Sequence, residues 1–163
     1  MSWLAVEKAK ELHKRHPQMP IPVDIERLVE EEGCELIDWP FLMPVKEVKQ
    51  GRWIGIAQGL DIKEKRHLIA HALAHHLLHR GNQLSFHQHL QRVQGRQEKE
   101  AEACAAHILM PGPELAKVIT HSFWELAEHF EVPEELAYQR INEFATKEER
   151  ELWEEACEDD TPG

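Results

Sequence analysis

The chain has 163 residues, the length of one ordinary domain. With 42% hydrophobic and 30% charged residues it reads as a globular protein, and no apolar run approaches the roughly 18 residues of a membrane helix. Thirty acidic against nineteen basic residues give a formal net charge of −11, which opposes binding to a phosphate backbone.

In chain order, Trp3, Leu4, Ala5, Val6, Ala9 and Leu12 recur at helical spacing over residues 3–15, and the stretch Pro17 to Pro22 ends that helix. Glu7 and Lys8 interrupt the apolar core that a signal peptide needs, so a cytoplasmic location is expected. A second helix is expected to begin near Pro22, a proline suited to a first turn, and to stop at Gly33, making a helical pair at the front of the chain. Between Cys34 and Ala57 the period changes. The runs 34–39, 45–48 and 52–57, separated by Pro40, Pro44 and Gly51, read as two or three short strands. A long helix follows from Ile62 to His79, stopped by Arg80, Gly81 and Asn82. Another runs from about Gln97 to Met110, stopped by Pro111, Gly112 and Pro113. The last third gives helices at 113–119, 122–130, 133–143 and 146–157, with Leu126, Ala127, Phe130, Leu136, Ala137 and Ile141 as an apolar face. Residues 1–145 are expected to form a single domain, and 146–163 an acidic helix with a frayed tail.

The three cysteines, Cys34, Cys104 and Cys157, are far apart and lack CxxC spacing, so neither a disulfide framework nor a zinc ribbon is indicated. Histidine is in excess: there are twelve, and seven fall between His67 and His89. His71 and His75 are four residues apart, which places two imidazoles on one helical face and suits a single metal ion. An open tetrahedral site wants a third protein ligand, commonly a carboxylate. The next helix offers Glu98 and Glu102 on one face, with Glu100 pointing away. If Glu98 binds the ion, Glu102 can hold a ligand histidine from behind and fix its tautomer. The bland alternative is a partly exposed polar stripe, because His67, His71, His75 and His79 all share the spacing. His79 is expected behind the ligands, since three turns of helix cannot converge on one ion, and His87 and His89 read as loop histidines. Residues 124–141 can also be read as a helix-turn-helix carrying Glu134, Glu135, Tyr138, Gln139 and Arg140. One arginine against two glutamates makes a weak phosphate reader, so packing is its expected role.

The segment HALAHHLLH from His71 to His79, with Arg66 to Ala70 before it, resembles the RxxxAHELGHxLLH motif of the ImmA/IrrE metallopeptidases. The stretch EKEAEACAAHILMP from Glu98 to Pro111 resembles that family's ExEANxFAAxLLMP motif, with Ala101, Ala105, Ala106, Ile108, Leu109, Met110 and Pro111 in register. Residues 126–132 resemble its LAxxFxVS element. The resemblance implies an α+β fold: mostly helical, zincin-like, with a small sheet in the N-terminal half. It also implies Zn2+ held by His71, His75 and Glu98, and a protein substrate or partner such as a phage-type helix-turn-helix repressor; charge and hydropathy, for their part, lead us to expect no direct contact to nucleic acid or membrane. In such proteins the glutamate after the first histidine is the general base. Here that position is Ala72, while the family's asparagine and glycine positions are Glu102 and Ala74. A methyl group takes no proton, and positioned acid–base groups contribute about 10²–10⁴-fold, so peptidase activity is expected to be impaired or absent. His76, four residues on, is a candidate substitute base. The alternative is a pseudoenzyme, a regulatory or protein-binding module that keeps the metal without catalysis.

Overall fold

The computed structural model describes residues 3–39, 46–78 and 91–159. Among them are eight helices and one three-stranded sheet, an α+β fold in which helices dominate. Helix α1 (Trp3–Arg15) buries Ala5, Val6, Ala9 and Leu12, the stripe that its spacing predicts. It packs on the two site-bearing helices instead of lying along α2 (Ile25–Glu31), so the expected front pair does not form. Only the ends meet, where Arg15 and His16 contact Glu31 and Glu32. Helix α2 also begins later than Pro22 suggests. Asp24 accepts a hydrogen bond from the Arg27 amide as a side-chain cap, and that fixes the start at Ile25.

Strands β1 (Glu35–Trp39), β2 (Glu47–Gln50) and β3 (Trp53–Ala57) form a sheet in the order β1-β3-β2. β1 runs parallel to β3, and β2 antiparallel to it. In the central strand Ile54 and Ile56 are buried while Trp53 is exposed, the alternation of a sheet with one covered face.

Helix α3 (Ile62–Leu78) lies at the centre, in contact with α1, α2, β2, β3 and α4 (Gln91–Leu109). Its run from Ile69 to His75 is buried on every side, which explains why small residues fill it: Ala70, Ala72 and Ala74 let neighbours approach closely. Helix α4 starts at Gln91, six residues before the expected Gln97, because 91–97 is polar and contains Gly95, so no apolar period announces it.

Helices α5 (Gly112–Ala116), α6 (Phe123–Phe130), α7 (Glu134–Asn142) and α8 (Lys147–Asp159) complete the chain. A capping box between Ser122 and Glu125 opens α6. Glu131 closes it in the left-handed region at φ 52°. Buried Arg66 of α3 donates to the carbonyl oxygens of Phe130 and Glu131, at 3.3 and 3.0 Å, and thereby ties the central helix to the end of α6. α6 packs on α7, and α7 on α4. Arg140, a candidate phosphate reader on α7, is fully buried and bonded within the protein, so packing is its role. No helix among the described residues is long and apolar enough to cross a membrane.

Candidate metal centre

Helices α3 and α4 run antiparallel, since His67 faces Glu102 while His75 faces Glu98. Each offers two relevant residues one turn apart, so the pairs His71/His75 and Glu98/Glu102 meet across a single interface. His71 Nε2 lies 2.9 Å from Glu98 Oε2 and 3.1 Å from His75 Nε2. His75 Nε2 lies 2.8 Å from Glu98 Oε1. The three side chains therefore aim one donor atom each at a common point, all within 4.8 Å of one another. A tetrahedral zinc site with bonds near 2.0–2.1 Å has ligand–ligand edges of about 3.3 Å, so the observed separations are a slightly contracted version of that figure. Two imidazole nitrogens and one carboxylate oxygen are also the donor set of an open zinc site. These residues fit a divalent ion.

Glu102 stands behind the cluster. His71 Nδ1 donates to its Oε1 at 2.7 Å, which leaves the Nε2 lone pair for an ion. His67 Nε2 donates to the same carboxylate at 2.8 and 3.0 Å, so Glu102 bridges two histidines. Without a metal, burial works against a charged His71, but the hydrogen bonds to Glu102 and Glu98 and the charge of Glu47 outweigh it and raise the imidazole to about 10. The bonds from His71 and His75 hold Glu98 well below the usual carboxylate range. Burial pushes Glu102 up, yet its two histidines win and hold it near 2. An ion entering here must displace the His71 proton, so binding strengthens as pH rises.

Ala72 is fully buried beside His71, and its methyl group offers no base. His76 is half-buried and lies outside the converging group. Glu100 likewise takes no part in it. His79, His87 and His89 lie outside the described residues. Cys104 is a buried core residue, and burial pushes its thiol up to about 12.

Two further residues bear on the centre, one on the four-residue stripe of α3 and one on the sheet. His67 is one, already noted as the partner of Glu102. Glu47 of β2 is the other: burial raises its carboxyl to about 7, with the charge of His71 pulling the other way and Glu98 and Glu102 adding to the rise. The available signal is strand alternation, which puts Glu47 and Lys49 on one face, but the sequence does not say which face is covered.

The family described as IrrE N-terminal-like domain, peptidase M78, matches residues 41–142. A solved structure described as a Mycobacterium tuberculosis transcriptional regulator has the same fold, with a TM-score of 0.68 at 14% identity. The likeness covers 92% of this chain and 50% of that one, so the chain spans half the length of that regulator. No curated protein matches the sequence. The family match takes in more than half of the chain, including α3 and most of the helical interface that gathers His71, His75 and Glu98, and the chain therefore belongs to the IrrE N-terminal-like, peptidase M78, family.

Proposed function

We propose that this chain holds one zinc ion at His71, His75 and Glu98 and uses that centre on a protein partner in the cytoplasm, a helix-turn-helix repressor of the phage type. The observation that carries the reading is the convergence of three donor atoms from two antiparallel helices, with Glu102 orienting one of them. A bound divalent ion would polarise a peptide carbonyl and make an attacking water more acidic. The protein's own part is to hold His71 Nδ1 on Glu102 so that Nε2 is the atom aimed at the ion, and to surround the site with the buried wall of α3. The solved neighbour, described as a transcriptional regulator, supports a role in gene regulation. The net charge of −11 favours a protein target over DNA.

The missing helix-borne base at Ala72 favours a second reading, a protein-binding module in which the ion is structural or sensing. Metal analysis of the purified chain is expected to give about one equivalent of zinc, lost in His71→Ala, in His75→Ala and in Glu98→Ala; full occupancy in all three variants excludes the site. Cleavage of a candidate repressor that appears only in Ala72→Glu supports the module. Cleavage by the unmodified chain supports the enzyme.

A further inference from the structure

We propose that Glu47 is the proton acceptor of this centre, a carboxylate supplied by strand β2 where helix α3 presents only the methyl group of Ala72. The inference rests on the peptidase reading above. It starts from strand register. Glu47 pairs with Ile56 and Lys49 with Ile54 across the β2–β3 ladder, and directly paired residues point their side chains to the same face. Ile54, Ile56 and Lys49 are all buried, so this is the covered face of the sheet, and the helix that β2 and β3 pack against is α3. Glu47 is thereby turned towards the histidine helix. Its charge interacts with His67 and His71 of α3 and with Glu98 and Glu102 of α4.

The three carboxylates at this centre differ in what they are free to do. Glu98 and Glu102 are each engaged by two histidines. No described residue donates a hydrogen bond to Glu47. Glu47 also stands outside the set of donors that converge at ligand distance, so it faces the histidine helix without helping to hold the ion. A proton acceptor needs that combination: on the side of the site, uncommitted, and not a ligand. In the step proposed, the water oxygen bonds to the peptide carbonyl carbon, whose π pair moves onto the carbonyl oxygen, while one O–H bond of the water breaks and the proton moves to a Glu47 carboxylate oxygen. When the C=O bond re-forms, the C–N bond breaks and that proton passes to the departing amine nitrogen. Glu47 ends unprotonated, and the two products together carry the elements of one water.

The test compares the zinc-loaded chain with Glu47→Gln, Glu47→Asp, Ala72→Glu and the exposed control Glu35→Gln. Hydrolysis is followed on a pool of quenched-fluorescence peptides, and zinc affinity by competition with a chromogenic chelator. Glu47→Gln is expected to keep one zinc per chain, to bind it about threefold to tenfold more weakly for loss of a nearby negative charge, and to lose about 10²–10⁴ in kcat with KM little changed. Glu47→Asp, whose carboxylate is withdrawn, is expected to lose at least tenfold in kcat, and it decides the matter if the glutamine variant does not fold. Adding Ala72→Glu to Glu47→Gln is expected to restore hydrolysis. Glu35→Gln is expected to change neither quantity. If Glu47→Gln retains kcat within twofold of the parent, or if zinc-loaded parent is inert while Ala72→Glu is active, the inference is overturned and the zinc site stands. If the parent binds no zinc, the reading of the site falls and the inference with it.

Discussion

Helix α4 takes part in two polar clusters, one at its middle and one at its C-terminal end, and the two are satisfied in opposite ways. At its C-terminal end, Arg140 donates to the Met110 carbonyl at 3.1 Å and to both oxygens of Glu149. Glu149 also accepts from the Thr146 amide, and His107 donates to the Phe144 carbonyl at 2.7 Å. Gly112 leaves room for this arrangement, since a Cβ there would lie 2.7 Å from Glu149 Oε2. Donors face acceptors throughout. At its middle, two imidazole nitrogens of α3 face each other at 3.1 Å, and both converge on one carboxylate of α4. The first arrangement is complete as protein, whereas the second has surplus donor atoms aimed at one point. Both combine histidine with glutamate, and α4 supplies one partner to each, so residue type does not separate a fastening from a candidate metal centre. What separates them is whether the lone pairs already have hydrogens to accept.

The largest effect should come from breaking the complete cluster. Arg140→Ala leaves Glu149 buried without its cation and is expected to cost about 3–5 kcal/mol in urea unfolding. Zinc stoichiometry of the folded fraction should hold, and loss of zinc at unchanged stability would reverse the roles assigned to the two clusters. A smaller effect is acid sensitivity at the same end. Burial, aided by the charge of Arg140, lowers His107 to about 4. The unfolded imidazole takes a proton near 6.5 and the folded one only near 4, so stability is full above pH 6.5 and falls as pH drops between those values. The loss is on the order of 3 kcal/mol at most. Unfolding midpoints measured from pH 7 to pH 4 should show that decline, and His107→Gln, which keeps an N–H for Phe144, should flatten it. The smallest change is expected behind the proposed zinc site. Glu102→Gln keeps the shape but weakens its hold on His71, and zinc affinity should fall about 10–100-fold in a chelator competition. An unchanged affinity would make Glu102 a second fastening.

Much of this was legible in the sequence, for reasons that can be named. Intervals of four residues along helices report which side chains share a face, so the pairs His71/His75 and Glu98/Glu102 could be read before any fold was known. Helix ends were legible where a chemical stop exists, as at Pro111, and not where a polar run such as 91–97 continues a helix unannounced. Glu47 was not legible because a strand's period of two gives parity without saying which side is covered. That choice is made by the packing of β2 and β3 on α3. Arg140 was legible as a packing residue, because one arginine among glutamates makes a weak phosphate reader, but its partner Glu149 on the next helix was not.

The two clusters share one rod, and this constrains how the gene can change. From Glu98 to His107 the helix advances nine residues, about 13 Å and two and a half turns, with no irregularity to absorb an error. Inserting or deleting a single residue among Ala103, Cys104, Ala105 and Ala106 would rotate one end against the other by about 100°. With Arg140, Met110 and Phe144 clamping the C-terminal end, Glu98 would be carried off the face that meets His71. Point substitutions in α4 can be graded in their harm, but a change in its length is all or nothing. Natural length variation in this helix is therefore expected to lie N-terminal to Glu98.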